Sequence, residues 1–172
     1  MKKILVLLAS VALFASCGVR TILPRAVNTI NTAPLGDLNL QRGDYEILNT
    51  ITAEASIIFT ELKNGGMKIA DQNNEFVVSV INKKFGSEYK YDGVLKLGYL
   101  QNDYANEPAT QLQPEVVARR LAIYRAINVA KEYGADALIE PTIATNVEQV
   151  GKKQILYKTT VTAKIIKLKT NR

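Results

Sequence analysis

The sequence predicts an α+β fold with two layers, a mainly antiparallel sheet covered on one face by one or two helices. Two features lead to this prediction. Apolar and polar residues alternate over residues 45–60 and 155–165, as in strands that bury one face. Residues 114–133 instead place apolar side chains at helical spacing. At 172 residues, the chain has room for one domain with its own core.

The composition excludes several kinds of chemistry. The chain has no histidine and a single cysteine, Cys17. A Cys–His catalytic pair, a histidine-containing metal site and an intramolecular disulfide are therefore impossible. We expect no metal, no cofactor and no catalytic residue.

The first 16 residues are predicted to be a signal peptide. Lys2 and Lys3 form a basic start, and an apolar run from Ile4 to Phe14 follows. The run is too short for a transmembrane helix, which needs roughly 20 residues. A basic start, a short apolar stretch and small residues after it are typical of secretory signals.

The sequence around Cys17 resembles the lipobox of bacterial lipoproteins. In that family, small residues such as Ala15 and Ser16 precede the cysteine, although Phe14 stands where leucine is usual. The resemblance implies cleavage before Cys17 and acyl chains that hold the protein on a membrane. Gly18, in place of the aspartate that favours the inner membrane, implies the outer membrane, facing the periplasm. The alternative is a secreted protein in which Cys17 has no such role.

Residues 17–42 are predicted to be the lipidated N-terminus and a tether, and residues 43–172 a single α+β domain. The tether carries turn-forming residues, among them Pro24, Pro34 and Gly36, with little apolar periodicity. Residues 35–40 could instead supply a first edge strand.

Within the domain, residues 45–60 are predicted to form a strand and residues 64–66 a turn. Residues 76–85 have apolar positions at helical spacing and are predicted to be a helix, with a strand as the alternative because of their β-branched residues. A further strand is expected at 94–100, before a polar loop at 102–114.

The clearest helix is predicted from Pro114 to Tyr133, with Gly134 as its stop. Its buried face should carry alanines at four-residue spacing: Ala118, Ala122, Ala126 and Ala130. The solvent face should carry Arg120, Arg125, Asn128, Lys131 and Glu132. A strand is expected at 136–141, and the last strand at 155–165.

Two segments of the domain resemble known families. Residues 44–56 and a later run resemble the small α+β domain of YbjQ-like proteins and of the outer-membrane sensor lipoprotein of the Rcs phosphorelay. The later run comprises Ala118-Arg119-Arg120, Ala126, Ala130 and Gly134-Ala135-Asp136-Ala137-Leu138-Ile139. The segment from Ala135 to Pro141 also resembles small Bacteroidetes lipoproteins without an assigned activity. The shared residues imply a fold and carry no catalytic group. The Rcs sensor is braced by disulfides, which this chain cannot form, so its signalling role does not carry over.

A group of four tyrosines is the candidate binding site: Tyr89, Tyr91, Tyr99 and Tyr104. Exposed tyrosines often mark recognition surfaces. They can equally be half-buried strand residues, and the sequence favours neither interpretation.

Carboxylates are the remaining acid–base material. Asp136 and Glu140 would lie about 13 Å apart on one strand face, too far for a catalytic pair. Asp44, Glu46 and Glu54 lie on or near the first predicted strand. The C-terminal lysines either attract anionic lipid or lipopolysaccharide or protect an edge strand. No phosphate-binding motif and no aromatic stacking motif is present, so nucleic acid is not an expected partner.

Three functional hypotheses follow from these features. The first is a non-catalytic binding or interaction module, lipid-anchored in the cell envelope through acyl chains on Cys17. The second is a structural or sensing accessory subunit of another envelope protein. The third, and most remote, is a carboxylate-dependent enzyme.

Overall fold

The computed structural model describes residues 24–33, 40–100 and 112–169. These residues form eight strands and one α-helix: β1 (Arg25–Ala33), β2 (Tyr45–Glu61), β3 (Met67–Asp71), β4 (Phe76–Lys83), β5 (Gly86–Gly93), β6 (Leu95–Leu100), α1 (Pro114–Glu132), β7 (Ala137–Gly151) and β8 (Gln154–Leu168). A short 3₁₀ turn, Lys63–Gly65, lies between β2 and β3. The predicted α+β class and its mainly antiparallel sheet are confirmed, with more sheet and less helix than the sequence predicts.

The strands follow the order β5-β4-β3-β2-β8-β7-β1-β6. The six from β5 to β7 pair antiparallel. β1 is parallel to both of its neighbours, pairing with β6 through its first six residues and with β7 through its last three. The described part of the chain therefore combines an antiparallel sheet with a short parallel pair.

The pairing of β2 with β8 forms the centre of the sheet. It runs from Tyr45 opposite Leu168 to Thr60 opposite Gln154, with one irregularity between Ile47 and Asn49. Ile57 and Val161 are buried on the face toward the helix, whereas Thr52 and Thr162 share a hydrogen bond of 3.2 Å on the open face. The alternation that predicts both strands is thus confirmed.

Helix α1 packs against the sheet through its alanines. Ala118, Ala122, Ala126 and Ala130 are fully buried, as predicted. Small side chains allow a close approach, and at Gly98 on β6 even a Cβ would lie 2.2 Å from the backbone nitrogen of Tyr124. The helix ends before Gly134, whose φ of 67° suits glycine.

The predicted solvent face of α1 is wrong at two positions, Arg120 and Arg125, and the Arg125 side chain is only 19 % exposed. Arg120 was expected on the solvent face, but it is only 3 % exposed. Its guanidinium carbon lies 4.4 Å from the centre of the Tyr99 ring. Tyr99 belongs to β6, whose Gly98 lies against the backbone of α1, so the sheet covers this side of the helix as well.

A smaller apolar cluster lies on the opposite face of the sheet, and its buried members are Ala137, Ile139 and Ile166. These residues alternate with Leu138 and Ile165, which belong to the main core, so they point away from α1. Leu40 and Tyr45 pack against them. The segment that enters β2 therefore covers one end of the open face.

Two further predictions differ from the structure. Residues 76–83 form strand β4 rather than a helix, because Phe76, Val78 and Val80 alternate into the core while their neighbours do not. Residues 25–33, assigned to the tether, form β1 inside the sheet, so the tether prediction is wrong for that segment. Residues 34–39, which contain most of the alternative edge strand, lie outside the described residues.

Candidate functional site

The four candidate tyrosines do not form one site. Tyr89 and Tyr91 both lie on β5, opposite Val80 and Val78 of β4. Tyr99 lies on β6 and packs under the Arg120 guanidinium. Tyr104 and the predicted lipidation residue, Cys17, lie outside the residues that the structure describes. The structure thus brings two of the four tyrosines together.

Strand β5 has a free edge among the described residues, because its pairing is with β4. Seven of its eight residues are exposed, and its register with β4 is unbroken from Gly86 to Gly93. Tyr89 and Tyr91 are 50 % and 43 % exposed and point to the same face as the buried Val78 and Val80. We call residues 86–93 the β5 edge.

The outer half of β7 also has a free edge within the described part of the chain, but this edge is interrupted. Its register with β8 shifts between Ile139 and Thr142 and again between Gln149 and Gly151. Pro141 lies in the first shift, beside Glu140, whose φ is 52°. Bulges and proline hinder the addition of another strand. The β5 edge has neither feature, so it is the better surface for strand addition.

The charges on the β5 edge balance closely. Glu88 lies 2.5 Å from the Lys83 ammonium and 3.7 Å from that of Lys90. The hydrogen bond and the charge of Lys83 hold the pKa of Glu88 below its usual value. Because Glu88 is paired and two tyrosines are exposed, the β5 edge offers a partner backbone hydrogen-bonding groups and aromatic surface rather than a concentration of charge.

The carboxylates singled out in the sequence have structural partners. Asp136 accepts hydrogen bonds from Lys167 Nζ at 2.8 Å and from the backbone nitrogen of Leu168 at 2.8 Å. These bonds hold the pKa of Asp136 below its usual value. Glu140 pairs with Lys164 at 2.6 Å, which raises the pKa of that lysine. Asp136 and Glu140 therefore brace strand β7 against β8.

Glu54 and Asp44 have similar roles. Glu54 lies 3.0 Å from Lys158 Nζ, and the hydrogen bond from that lysine lowers the pKa of Glu54. Asp44 accepts the backbone N–H of Gln41 at 2.8 Å and thereby closes a turn before β2. Glu46 is exposed at the start of β2.

A buried charge cluster, which sequence reasoning missed, joins three elements. The Asp71 side chain is wholly buried at the end of β3, and Arg125 of α1 donates to Asp71 Oδ2 at 3.0 Å and to Glu75 Oε1 at 2.9 Å. Lys96 of β6 lies 2.9 Å from Glu75 Oε2. Burial raises the pKa of Glu75, but Lys96 and Arg125 outweigh it and leave that pKa below its usual value. The cluster holds the β3–β4 turn against α1 and β6.

The contacts of this cluster suit a structural role rather than proton transfer. Both carboxylates pair with positively charged side chains, and Asp71 Oδ2 also accepts the backbone N–H groups of Asn73 at 3.2 Å and Glu75 at 3.4 Å. Arg125 Nη1 further donates to the carbonyl oxygen of Glu54 at 2.9 Å. No local sequence signal could reveal this cluster, because Arg125 lies 54 residues from Asp71 and 50 residues from Glu75 in the chain.

Most C-terminal lysines take part in ion pairs. Lys153, Lys158, Lys164 and Lys167 pair with Glu61, Glu54, Glu140 and Asp136. Their positive charge is therefore largely balanced along the sheet. The prediction that these lysines protect an edge strand is wrong, because β8 lies between β2 and β7 and pairs with both of them.

Across residues 24–33, 40–100 and 112–169, no group of three potential metal ligands comes together. In that same portion, no helix is both long and apolar enough to cross a membrane. Comparisons with protein-family models, with curated proteins and with solved structures found no significant match to this chain.

Proposed function

We propose that this protein is a lipid-anchored cell-envelope protein whose domain is a non-catalytic binding module, and that the β5 edge is its binding surface. The anchor rests on the signal-peptide pattern and on Cys17, the single cysteine in the chain, at the lipobox position. The outer membrane, facing the periplasm, is the proposed location because Gly18 follows that cysteine.

The observation that supports a binding role is the β5 edge itself. Free edges of sheets promote pairing with other chains, and proteins commonly block them with bulges, prolines or inward charges. In this domain the outer half of β7 is blocked in that way, whereas β5 is regular over eight residues and carries exposed aromatic side chains. An open edge of this kind is a surface for strand addition.

The proposed partner is an extended segment of another envelope protein. Backbone hydrogen bonds would supply affinity, and contacts with alternate side chains would supply specificity. Tyr89 and Tyr91 point to the apolar face, so they favour a segment with apolar or aromatic residues at alternate positions. Because Glu88 is paired with Lys83 and Lys90, strong charge on the partner is not required.

Photocrosslinking in the native cell tests this proposal. A photoreactive amino acid at position 87, 89 or 91 should give a discrete adduct with one partner, identified by the linked peptides of both proteins. Tyr89→Ser with Tyr91→Ser should remove the adduct formed from position 87. Tyr133→Ser is the matched control, since Tyr133 is 53 % exposed and lies at the end of α1.

A second probe position compares the two edges. Val147 is 52 % exposed on the interrupted edge of β7. A probe there should give no adduct with the partner captured from β5. Equal capture from positions 89 and 147, or capture from position 87 that the tyrosine double variant leaves unchanged, would contradict strand addition at β5.

A further inference from the structure

Three chain reversals meet at one end of the sheet: residues 62–66, 83–86 and 151–154. The backbone nitrogen of Glu61 donates to the carbonyl oxygen of Lys153 at 2.9 Å, which joins the first reversal to the third. The side-chain amide of Asn82 donates to the carbonyl oxygen of Asn64 at 3.2 Å, which joins the second to the first. We call residues 61–68, 82–88 and 150–154 the lysine tip.

The lysine tip carries a strong excess of positive charge. It holds six lysines against two glutamates. Glu88 pairs with Lys83, and Glu61 pairs with Lys153. The other four lysines make no ion pair in the described structure: Lys63, Lys68, Lys84 and Lys152. Because the four come from three separate reversals, the fold creates this concentration of charge, and it is invisible in the linear sequence.

An aromatic side chain projects from the same end. Phe85 is 91 % exposed, and Lys84 Nζ lies 5.7 Å from the centre of its ring. Val150, in the neighbouring reversal, is 46 % exposed. An exposed apolar ring at a lysine-rich end of the sheet suits a surface that offers anionic groups and apolar material together. A bilayer with anionic headgroups offers both, whereas a soluble polyanion offers only the charge.

The tip lies far from the start of the domain. β1 runs parallel to β7, with Asn31 opposite Ala137, so Arg25 lies beyond the end of β7 that is remote from Gly151. From Ala137 to Gly151 the strand measures about 46 Å at 3.3 Å per residue. The link from Cys17 to Arg25 reaches at most about 28 Å. An anchored domain can therefore touch its own membrane with the tip when its long strands lie along the surface.

We propose that the lysine tip is a second membrane contact, in which its unpaired lysines bind the phosphate groups of anionic phospholipids and Phe85 enters the interface. The inference rests on the lipid anchor of the proposed function. Several acyl chains are enough to anchor the protein, so the basic tip would set how the domain lies on the membrane rather than supply the anchor. Contact at both ends holds the domain along the membrane and fixes which side of the β5 edge faces outward.

A tryptophan reporter tests this contact. The chain contains no tryptophan, so Phe85→Trp introduces a single one. The lipidated full chain is placed in vesicles of phosphatidylcholine alone, or of phosphatidylcholine mixed with phosphatidylglycerol. Trp fluorescence should shift to shorter wavelength, and brominated lipids should quench it, in the anionic vesicles only. A Tyr133→Trp reporter at the other end of β7 should emit identically in both.

Charge-matched variants identify the groups responsible. In the Phe85→Trp background, Lys63→Gln, Lys84→Gln and Lys152→Gln together should abolish the shift. The control is the triple change of Lys158, Lys164 and Lys169 to glutamine, which removes the same charge away from the tip and should leave the shift intact. A shift that survives the tip variant, or that both triple variants reduce equally, overturns the proposal.

Two outcomes separate this inference from the proposals beneath it. If the protein floats with both kinds of vesicle and residue 85 emits identically in both, the anchor stands and the tip contact is overturned. If the protein fails to float with phosphatidylcholine vesicles, the anchor is contradicted, and the orientation inferred from it is overturned as well. If soluble polyphosphate without vesicles shifts the fluorescence of the Trp at position 85 as much as anionic vesicles do, the tip binds polyanions in general and the proposed contact with a bilayer is overturned.

Discussion

Arg125 donates from one nitrogen, Nη2, to Asp71 Oδ2 at 3.0 Å, and the Asp71 side chain that accepts this bond is entirely buried. The second oxygen, Asp71 Oδ1, is buried with no hydrogen-bond partner in the part of the chain that the structure describes. The guanidinium is therefore the main compensation for a carboxylate removed from water.

Removing that compensation should destabilise the fold. Arg125→Leu leaves Asp71 as an unpaired buried charge, for which we expect a loss of about 3 kcal/mol in the free energy of unfolding. Chemical denaturation measures this loss. Adding Asp71→Asn to Arg125→Leu should recover part of it, because the buried charge is then gone. Arg119→Leu is the matched control, since Arg119 is exposed on the same helix. If Arg125→Leu and Arg119→Leu lower the free energy of unfolding equally, Arg125 does not compensate the buried charge of Asp71.

The close contact between β6 and α1 predicts a steric effect. Gly98→Ala places a methyl group 2.2 Å from the Tyr124 nitrogen, so helix and strand must separate. We expect a loss of about 1–3 kcal/mol, the usual range for overpacking a core. Thermal or chemical unfolding measures it. Gly43→Ala adds the same methyl group where no atom lies within 4 Å, and it should have little effect. A stable Gly98→Ala protein would show that the two backbones are not in contact.

The bonds of Asp136 predict a dependence on pH. Its pKa is lower in the folded than in the unfolded chain, so it stabilises the fold above the unfolded pKa, and this contribution is lost as pH falls through the folded pKa. Asp136→Asn should cost about 1 kcal/mol at neutral pH. The difference in the free energy of unfolding between Asp136→Asn and the unaltered protein should become smaller in acid. Urea unfolding across a pH series measures this difference. The control Glu132→Gln, at an exposed helix position, should leave the profile unchanged. If the difference in the free energy of unfolding stays constant down to strongly acid pH, the ionised Asp136 carboxylate does not stabilise the fold.

The proposed lipid anchor predicts a chemical label. Cells fed a palmitate analogue should label the unaltered protein, and Cys17→Ser should abolish the label because the acceptor thiol is lost. The same change should move the protein out of the fraction that floats with lipids. Ser10→Ala, inside the predicted signal peptide, keeps the cysteine and should preserve labelling. Labelled Cys17→Ser protein would refute the lipoprotein hypothesis.

The sequence predicts those elements whose pattern is local. β2 and β8 alternate over many residues, and the alanine spacing of α1 is regular, so both the elements and their buried faces are predicted correctly. The helix prediction for residues 76–83 is wrong because the pattern of Phe76, Val77, Val80 and Ile81 fits one face of a helix as well as a strand. Their burial in alternation depends on β3 and β5, which flank β4 in the sheet. β1 was missed because its polar composition gives no alternation, and its place is set by parallel partners more than 60 residues away.

Sites that depend on tertiary contacts could not be read from the sequence. Arg120 and Arg125 look like solvent-face residues of a helix because Tyr99, Asp71 and Glu75 belong to distant elements. Sequence proximity groups Tyr89 with Tyr91, which share strand β5, but it also groups them with Tyr99, which the fold places on a strand at the other end of the order. The lysine tip depends on three reversals meeting, which the pairing of β2 with β8 and of β3 with β4 produces.

The pairing of β2 with β8 also constrains the order in which the domain can fold. Tyr45 pairs with Leu168, so the central strand has no partner on this side until nearly the whole chain is available. Contacts this distant in sequence slow folding, because a long loop must close before they form. A chain synthesised from its N-terminus therefore keeps β2 unpaired with β8 until β8 has been made. Folding of the central sheet thus depends on a strand that is synthesised about 100 residues after the one it pairs with.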